Sequence, residues 1–269
     1  MVTNRTYKVF RLLAIVAWAV LSAGCELIGE GDRLIALPYS ADTTGRGHVL
    51  IEFTGFRCVN CPTAAEEAET LQKLYGEQLI VVAMHPASNP YTQGKYDYTC
   101  EAADVYYTYF GGVATTPFPT GNIDFLQNGH SYLNDYSDWP TLLATEMNKP
   151  QQVSMQVRAI RNADGMAIQT TFSAASTQEC RLAVWLVEDS VRGAQALPDS
   201  ITTGYIHRHM LRGAIGDPWG KPVTAGPIGE TVITSAPLPE DAEQRQYSIV
   251  AVLWNADRQI INAKQTTIQ

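Results

Sequence analysis

The stretch His48 to Pro62, HVLIEFTGFRCVNCP, constrains the fold of this chain more than any other. Val49 to Phe53 is apolar except for Glu52, the pattern of a central strand covered on both faces. Thr54 to Arg57 turns the chain, and Cys58-Val59-Asn60-Cys61 leads into a helix that carries Pro62 in its first turn, where proline is tolerated. Ala64, Ala65, Ala68, Leu71 and Leu74 recur at helical spacing. Glu66, Glu67 and Glu69 fall mostly on the other side, near the end where the helix dipole favours acids. Gly76 stops the helix, and Leu79 to Met84, LIVVAM, is a second buried strand. Strand, helix and strand in this order predict a parallel pair with a right-handed crossover.

Further on, Tyr98 to Phe110 has a helical stripe of Ala102, Val105, Tyr106 and Tyr109, closed by Gly111-Gly112. A cluster around Pro117 and Pro119 follows. Asn128-Gly129 between Ile123–Leu126 and Ser131–Leu133 predicts a hairpin. Trp139 to Met147 reads as a closing helix, and Asn148-Lys149-Pro150 as a domain boundary. Beyond it the period drops to two. Val153, Met155 and Val157 alternate, as do Met166, Ile168, Thr170 and Phe172. Strands are expected at 182–187, 205–211, 231–234, 247–254 and 259–264, with no helical pattern among them. Residues 150–269 are therefore expected to form an all-β sandwich of immunoglobulin-like type, after an α/β domain at 46–149.

The first residues carry an address. Arg5, Lys8 and Arg11 precede a short apolar run, Leu12 to Leu21, and the small residues Ser22-Ala23-Gly24 lead to Cys25. This resembles the lipobox of bacterial lipoproteins, with the favoured leucine one place further from the cysteine than usual. The resemblance implies a signal peptide at 1–24, lipid on Cys25, a tether at 25–45 and a location in the cell envelope, at the outer membrane. The alternative is a plain secretory signal with an incidental cysteine. Leu34 to Leu37 could add an edge strand. The net charge is −8 and the first 24 residues hold three of the positive charges, so a nucleic-acid partner is excluded. An oxidising compartment permits disulfides among Cys58, Cys61, Cys100 and Cys180.

Two cysteines at the start of a helix invite thiol chemistry. Unpaired N–H groups and the dipole favour a thiolate, so Cys58 would be the exposed nucleophile and Cys61 the resolving thiol. The exchange would pass through a mixed disulfide on Cys58 that Cys61 releases. The competing reading is a stable structural disulfide. Zinc is disfavoured because two further ligands at suitable spacing are missing. Cys100 and Cys180 are expected to be free thiols. His207 and His209 share one face of a predicted strand with no third ligand nearby, and packing is the expectation for them and for His85. No motif calls for a cofactor, and the protein partners of a redox pair would be envelope proteins with cysteines or disulfides.

The element order over about 45–148 resembles a thioredoxin fold. That likeness implies a buried acid at Glu52, able to accept the proton of Cys61, and a cis-proline at Pro119, with Pro117 as a rival. Val59-Asn60 and the displaced aromatic Phe56 depart from the thioredoxin pattern. The whole chain resembles the 28-kilodalton outer-membrane-protein family of lipoproteins, through CVNCP at 58–62, FPTGNID at 118–124 and YIHRHMLRGAIGDPWG at 205–220. Together these imply a lipid-anchored thioredoxin-like protein exchanging disulfides, or a surface lipoprotein that binds or builds, stapled by Cys58–Cys61.

Overall fold

The apolar run after Gly47 forms β1 (His48–Phe53), a strand whose six residues are all buried. A computed structural model describes residues 45–269; the signal segment, Cys25 and the Leu34–Leu37 run lie outside the described residues. Helix α1 (Cys61–Tyr75) carries β1 over to β2 (Leu79–Met84), which pairs with it in parallel from His48↔Leu79 to Phe53↔Met84. Ala64, Ala68 and Leu71 of the expected stripe are buried, packing with Leu50 and Val81 of the sheet. Leu74 is not part of that face: it is 71 % exposed. Each aliphatic side chain buried this way contributes ~1.5–3 kcal/mol. Val49, Ile51 and Phe53 point to the opposite face, where they join Tyr106 and Tyr107 of α2 (Glu101–Tyr109).

The expected pairing of a thioredoxin-like α/β domain with a separate immunoglobulin-like sandwich is overturned by the sheet itself. Over the described residues the protein is mostly β, 45% strand against 17% helix. β3 (Thr120–Ile123) pairs antiparallel with β1, but the hairpin strand that should follow it is missing. The turn at Asn128-Gly129 closes isolated bridges, Asn128↔Ser131 and Gly121↔Asn134, in place of a strand. The other edge of β2 is taken by the second half of the chain. There β9 (Met210–Ala214) pairs with it at Ala83↔Met210, and the Ala83 N–H donates to His209 O at 2.8 Å. Beyond β9 come β6 (Gln178–Asp189), β12 (Gln246–Trp254) and β13 (Ile260–Thr267), with β10 (Lys221–Ala225) also paired to β6. One eight-stranded mixed sheet thus runs through both halves. The core is shared in the same way: Tyr106 packs on Trp185 and Trp254, and the Trp185 indole N–H donates to the Tyr106 hydroxyl at 2.8 Å.

A sandwich is present, but it borrows this sheet. β4 (Val153–Asn162), β5 (Gly165–Ala174) and β11 (Glu230–Ala236) form a three-stranded antiparallel sheet, β11-β5-β4. Val153, Met155 and Phe172 pack on Leu182, Ala251 and Leu253 of the large sheet. The third sheet is a ribbon, β7 (Val191–Leu197) with β8 (Ser200–His207). The single strand expected at 205–211 is broken, because His209 has a φ of 54° and turns the chain between β8 and β9.

Helix α3 (Trp139–Met147) covers the α1 face of the sheet through Trp139 and Leu143. Between β3 and α3, Asp124 and Phe125 both take left-handed backbone, with φ of 51° and 59°. That bend turns the Asp124 carboxylate back onto the start of β1. It accepts from the Val49 N–H at 2.7 Å, from His48 Nδ1 at 2.6 Å and from Arg46 Nη2 at 2.8 Å.

Candidate functional site

Cys58 and Cys61 form a disulfide, with Cα atoms 5.4 Å apart. Cys61 opens α1, and Cys58 lies in the preceding turn, its N–H donating to Gly55 O at 3.0 Å. Both cysteines are buried, at 2 % exposure each; only Val59 and Asn60 between them reach solvent. Cys58 is thus not the exposed group expected of a nucleophile.

The cover comes from the β7–β8 ribbon. Gln195, itself buried, donates through Nε2 to Cys58 O at 2.7 Å, and the Ala196 N–H donates to Phe56 O at 2.6 Å. The Ala194 N–H donates to the Tyr98 hydroxyl at 2.9 Å. Two glycines permit close approaches here, Gly193 that of the ribbon to Tyr98 and Gly55 that of the Tyr91 backbone to the cysteine turn. A Cβ on Gly193 would lie 1.8 Å from the Tyr98 hydroxyl, and one on Gly55 would meet the Tyr91 carbonyl oxygen at 2.5 Å. Phe56, the aromatic displaced from Cys58, packs edge-on against Tyr96 and Tyr98 beneath the ribbon. Of the two candidate prolines, Pro119 has the cis bond, after Phe118. Phe118 belongs to the same core cluster as the disulfide.

Below the disulfide is a chamber of about 30 Å³, lined by Cys61, Glu52, His85, His207 and Tyr205 among others. Glu52 is 3 % exposed and its Oε1 has no hydrogen-bond partner. Burial pushes its carboxyl up to about 8, against a smaller opposing effect from a Thr54 hydrogen bond. His85 is 1 % exposed, and neither ring nitrogen has a partner. Burial, then the neighbouring His207 and Arg212, lower it to about 3, so its imidazole is neutral. His207 lies with its ring centre 6.0 Å from that of His85, and its Nε2 is 3.0 Å from Ala194 O. A carbonyl can only accept, so Nε2 carries the proton and Nδ1 the lone pair. His209 does not join them: it sits in the turn after β8, its N–H donating to Asp189 Oδ1 at 3.3 Å.

The site therefore unites Glu52, Cys61 and His85 with His207, while Cys58 lies under the ribbon and neither it nor Pro119 lines the chamber. Cys100 and Cys180 are free thiols, half-buried and buried. The tyrosines of α2 serve the core: Tyr106 and Tyr107 are fully buried. Gln195 and Ala194 were missed by sequence reasoning. Their strand, VRGAQAL, has weak β character, and its burial comes from what it covers. Among the described residues, no three His, Cys, Asp or Glu side chains are arranged to hold a metal ion, and no helix is long and apolar enough to cross a membrane.

Fold and site together define a mostly β protein in which a small helical layer and a ribbon enclose a buried disulfide. Residues 103–269, more than half the chain, match the model of the family "Outer membrane protein Omp28", and the chain belongs to that family. The family name points to the outer membrane. No match was found among curated proteins. Among solved structures, HBP35 of Porphyromonas gingivalis is similar in fold, with a TM-score of 0.62 and 14% identity over 83% of this chain and 76% of that one. A protein of Agrobacterium tumefaciens matches with a TM-score of 0.48 and 14% identity, over 85% of this chain and 95% of that one.

Proposed function

We propose that this protein is a binding or structural module of the outer membrane, in which Cys58–Cys61 is a covered staple. The observation that supports this reading is the burial of both cysteines under the β7–β8 ribbon, with Gln195 bonded to the Cys58 carbonyl. Thiol–disulfide exchange needs a sulfur that another protein can reach in line. A staple needs the reverse, and here it holds the turn on which the ribbon rests. The experiment is trapping. A Cys61→Ala variant leaves Cys58 with no resolving thiol, and it should accumulate no mixed disulfides with envelope proteins. Abundant adducts on Cys58 would sink the staple.

A second reading rests on Glu52. In an oxidoreductase, Cys58 would be the nucleophile, Cys61 the resolving thiol, Glu52 the acceptor of its proton and Pro119 the flank of the substrate strand. A carboxyl raised to about 8 beside Cys61 favours it. The partners would then be envelope proteins with cysteines or disulfides, and the trapping experiment separates the two readings. In either one, lipid on Cys25 provides the membrane anchor. Cys25→Ala should leave the protein unlipidated and in the soluble fraction, whereas a membrane-bound, lipidated variant refutes the anchor.

A further inference from the structure

We propose that the β7–β8 ribbon is a latch: it turns on hinges at Ser190 and His209, is held shut at its feet by Asp189, and on opening uncovers the Cys58–Cys61 disulfide to an incoming thiol. Among the described residues, its two strands pair with each other and with neither of the larger sheets. A two-stranded ribbon is marginal by itself, so its position is set by what it touches. The touching side is small. The fully buried apolar side chains of the ribbon are two alanines, Ala194 and Ala196, and β8 is largely exposed. Gln195, Tyr205 and His207 face the chamber, where Glu52 and His85 keep unpartnered atoms, and not a close-packed core. Little apolar area therefore opposes opening.

Both feet are built to turn. Ser190 links β6 to β7, and His209 lies between β8 and β9. Each takes left-handed backbone, with φ of 59° and 54°. Residues with a side chain rarely adopt it, and those that do persist where their surroundings enforce it, commonly at switch regions. Here one carboxylate enforces it at both. Asp189 Oδ1 accepts from the Ser190 N–H at 2.9 Å and from the His209 N–H at 3.3 Å, so a single atom draws the two feet together. Arg208, beside His209, adds an exposed ion pair to Glu69 of α1 at 2.9 Å. Further along, Gln195 and Ala196 fasten the ribbon to the carbonyls of Cys58 and Phe56. Those carbonyls belong to the cysteine turn, so the closed ribbon fills the space that an attacking chain would need.

Opening changes what the disulfide can do. A thiolate arriving in line bonds one cysteine sulfur, and the other leaves as a thiolate and takes a proton from solvent. With a dithiol, the second thiol loses its proton, attacks the mixed disulfide and releases the first cysteine. The dithiol ends as a disulfide, and two electrons and two protons have passed to Cys58 and Cys61. The inference rests on the staple reading for the closed state and adds an open one. The two fail separately: adducts on Cys58 in the trapping experiment sink the staple, whereas the latch stands or falls on exchange and reduction rates.

The first measurement is native-state hydrogen exchange by NMR on the oxidised wild-type protein. The Ala194 and Ala196 amides donate outside the ribbon, to the Tyr98 hydroxyl and to Phe56 O, so opening frees them while the sheets stay folded. They should be protected more than ~10-fold less than the amides of Val250 and Val252 in β12, because local openings cost less than global unfolding. The second is reduction by dithiothreitol under native conditions, read by mass spectrometry as alkylation of Cys58 and Cys61. Asp189→Ala and Gln195→Ala should each speed it roughly tenfold, the scale of one or two lost hydrogen bonds. Near-UV circular dichroism checks that each variant is folded. Equal protection of Ala194, Ala196 and β12 would overturn the latch, as would folded variants reduced at the wild-type rate. If a variant does not fold, exchange in the wild type decides.

Discussion

Two buried polar clusters sit at opposite ends of β1, and they are finished to different degrees. At its start, Asp124 has both carboxylate oxygens taken: Oδ1 by the Val49 N–H, Oδ2 by His48 and Arg46. Arg46 also donates to Ile260 O, which ties the start of β13 to the same point, and only its Nε lacks a partner. At the far end, Glu52 keeps an empty oxygen and His85 two empty nitrogens around a chamber. A satisfied buried network specifies and holds a fold, whereas a half-satisfied one costs stability and persists where something else uses it. The Asp124 cluster therefore reads as architecture, and the Glu52 chamber as a site.

The sharpest way to break this contrast is mutation at each centre. Asp124→Ala strands the Arg46 and His48 side chains and the Val49 N–H, and removing one partner of a buried pair costs ~3–5 kcal/mol. Glu52→Gln removes a carboxyl that burial already disfavours as an anion. At pH 7 it should not destabilise the protein and should raise its stability, because the wild-type carboxyl must take up a proton on folding and the amide need not. Urea denaturation of the two variants measures both. Equal losses would mean that the chamber is as structural as the Asp124 cluster.

The pH dependence sharpens the chamber's half of the comparison. Glu52 is raised from 4.5 to about 8 in the folded state, so the unfolded chain loses this proton first. Its stabilising contribution is complete below pH 4.5 and is lost as pH rises towards 8. His85 is lowered from 6.5 to about 3, so its contribution is present above pH 6.5 and is lost as pH falls towards 3. The two slopes oppose each other between 4.5 and 6.5. Between 6.5 and 8, Glu52 acts alone of the pair. Wild type should lose stability across that window in urea titrations and Glu52→Gln should not; parallel curves would remove Glu52 from the account.

Much of the first half was legible because its signals are local. The buried runs of β1 and β2 and the alanine stripe of α1 specify a parallel pair from within 40 residues. What was not legible depends on distant partners. Asn128-Gly129 carries a strong hairpin signal, yet after the left-handed bend at Asp124 and Phe125 the returning chain makes only isolated antiparallel bridges, Asn128↔Ser131 and Gly121↔Asn134, and no second strand. The edge of β2 goes instead to Met210, more than 120 residues on, through a single parallel pair. Period-two patterning described the strands after Pro150 but not which sheet they would join. At the site, Glu52 as a buried acid near Cys61 was an implication of the thioredoxin resemblance and not of local spacing, and both side chains line the chamber. Spacing placed His207 and His209 on one strand face with packing as their expected role; the turn at His209 separates them, and His207 packs beside His85. The family match begins at residue 103, so it describes the ribbon that covers the disulfide and not the cysteines themselves.

The smallest effect should lie at the rim of the Asp124 cluster. Lys149 Nζ lies 2.6 Å from Glu146 Oε1, and Arg46 Nη1 lies 3.6 Å from Glu146 Oε2, so the lysine is wired to the cluster at one remove. Its side chain is 51 % exposed, however, where water and salt screen the pair. Exposed pairs contribute about 0–1 kcal/mol, and Lys149→Ala should cost less than about 0.5 kcal/mol and less still at high salt. A cost approaching that of Asp124→Ala would show that the cluster extends to the surface as one cooperative unit. The satisfied network at the start of β1 would then reach from the core to solvent, in contrast to the chamber at its far end, where Glu52 and His85 keep unpartnered atoms in full burial.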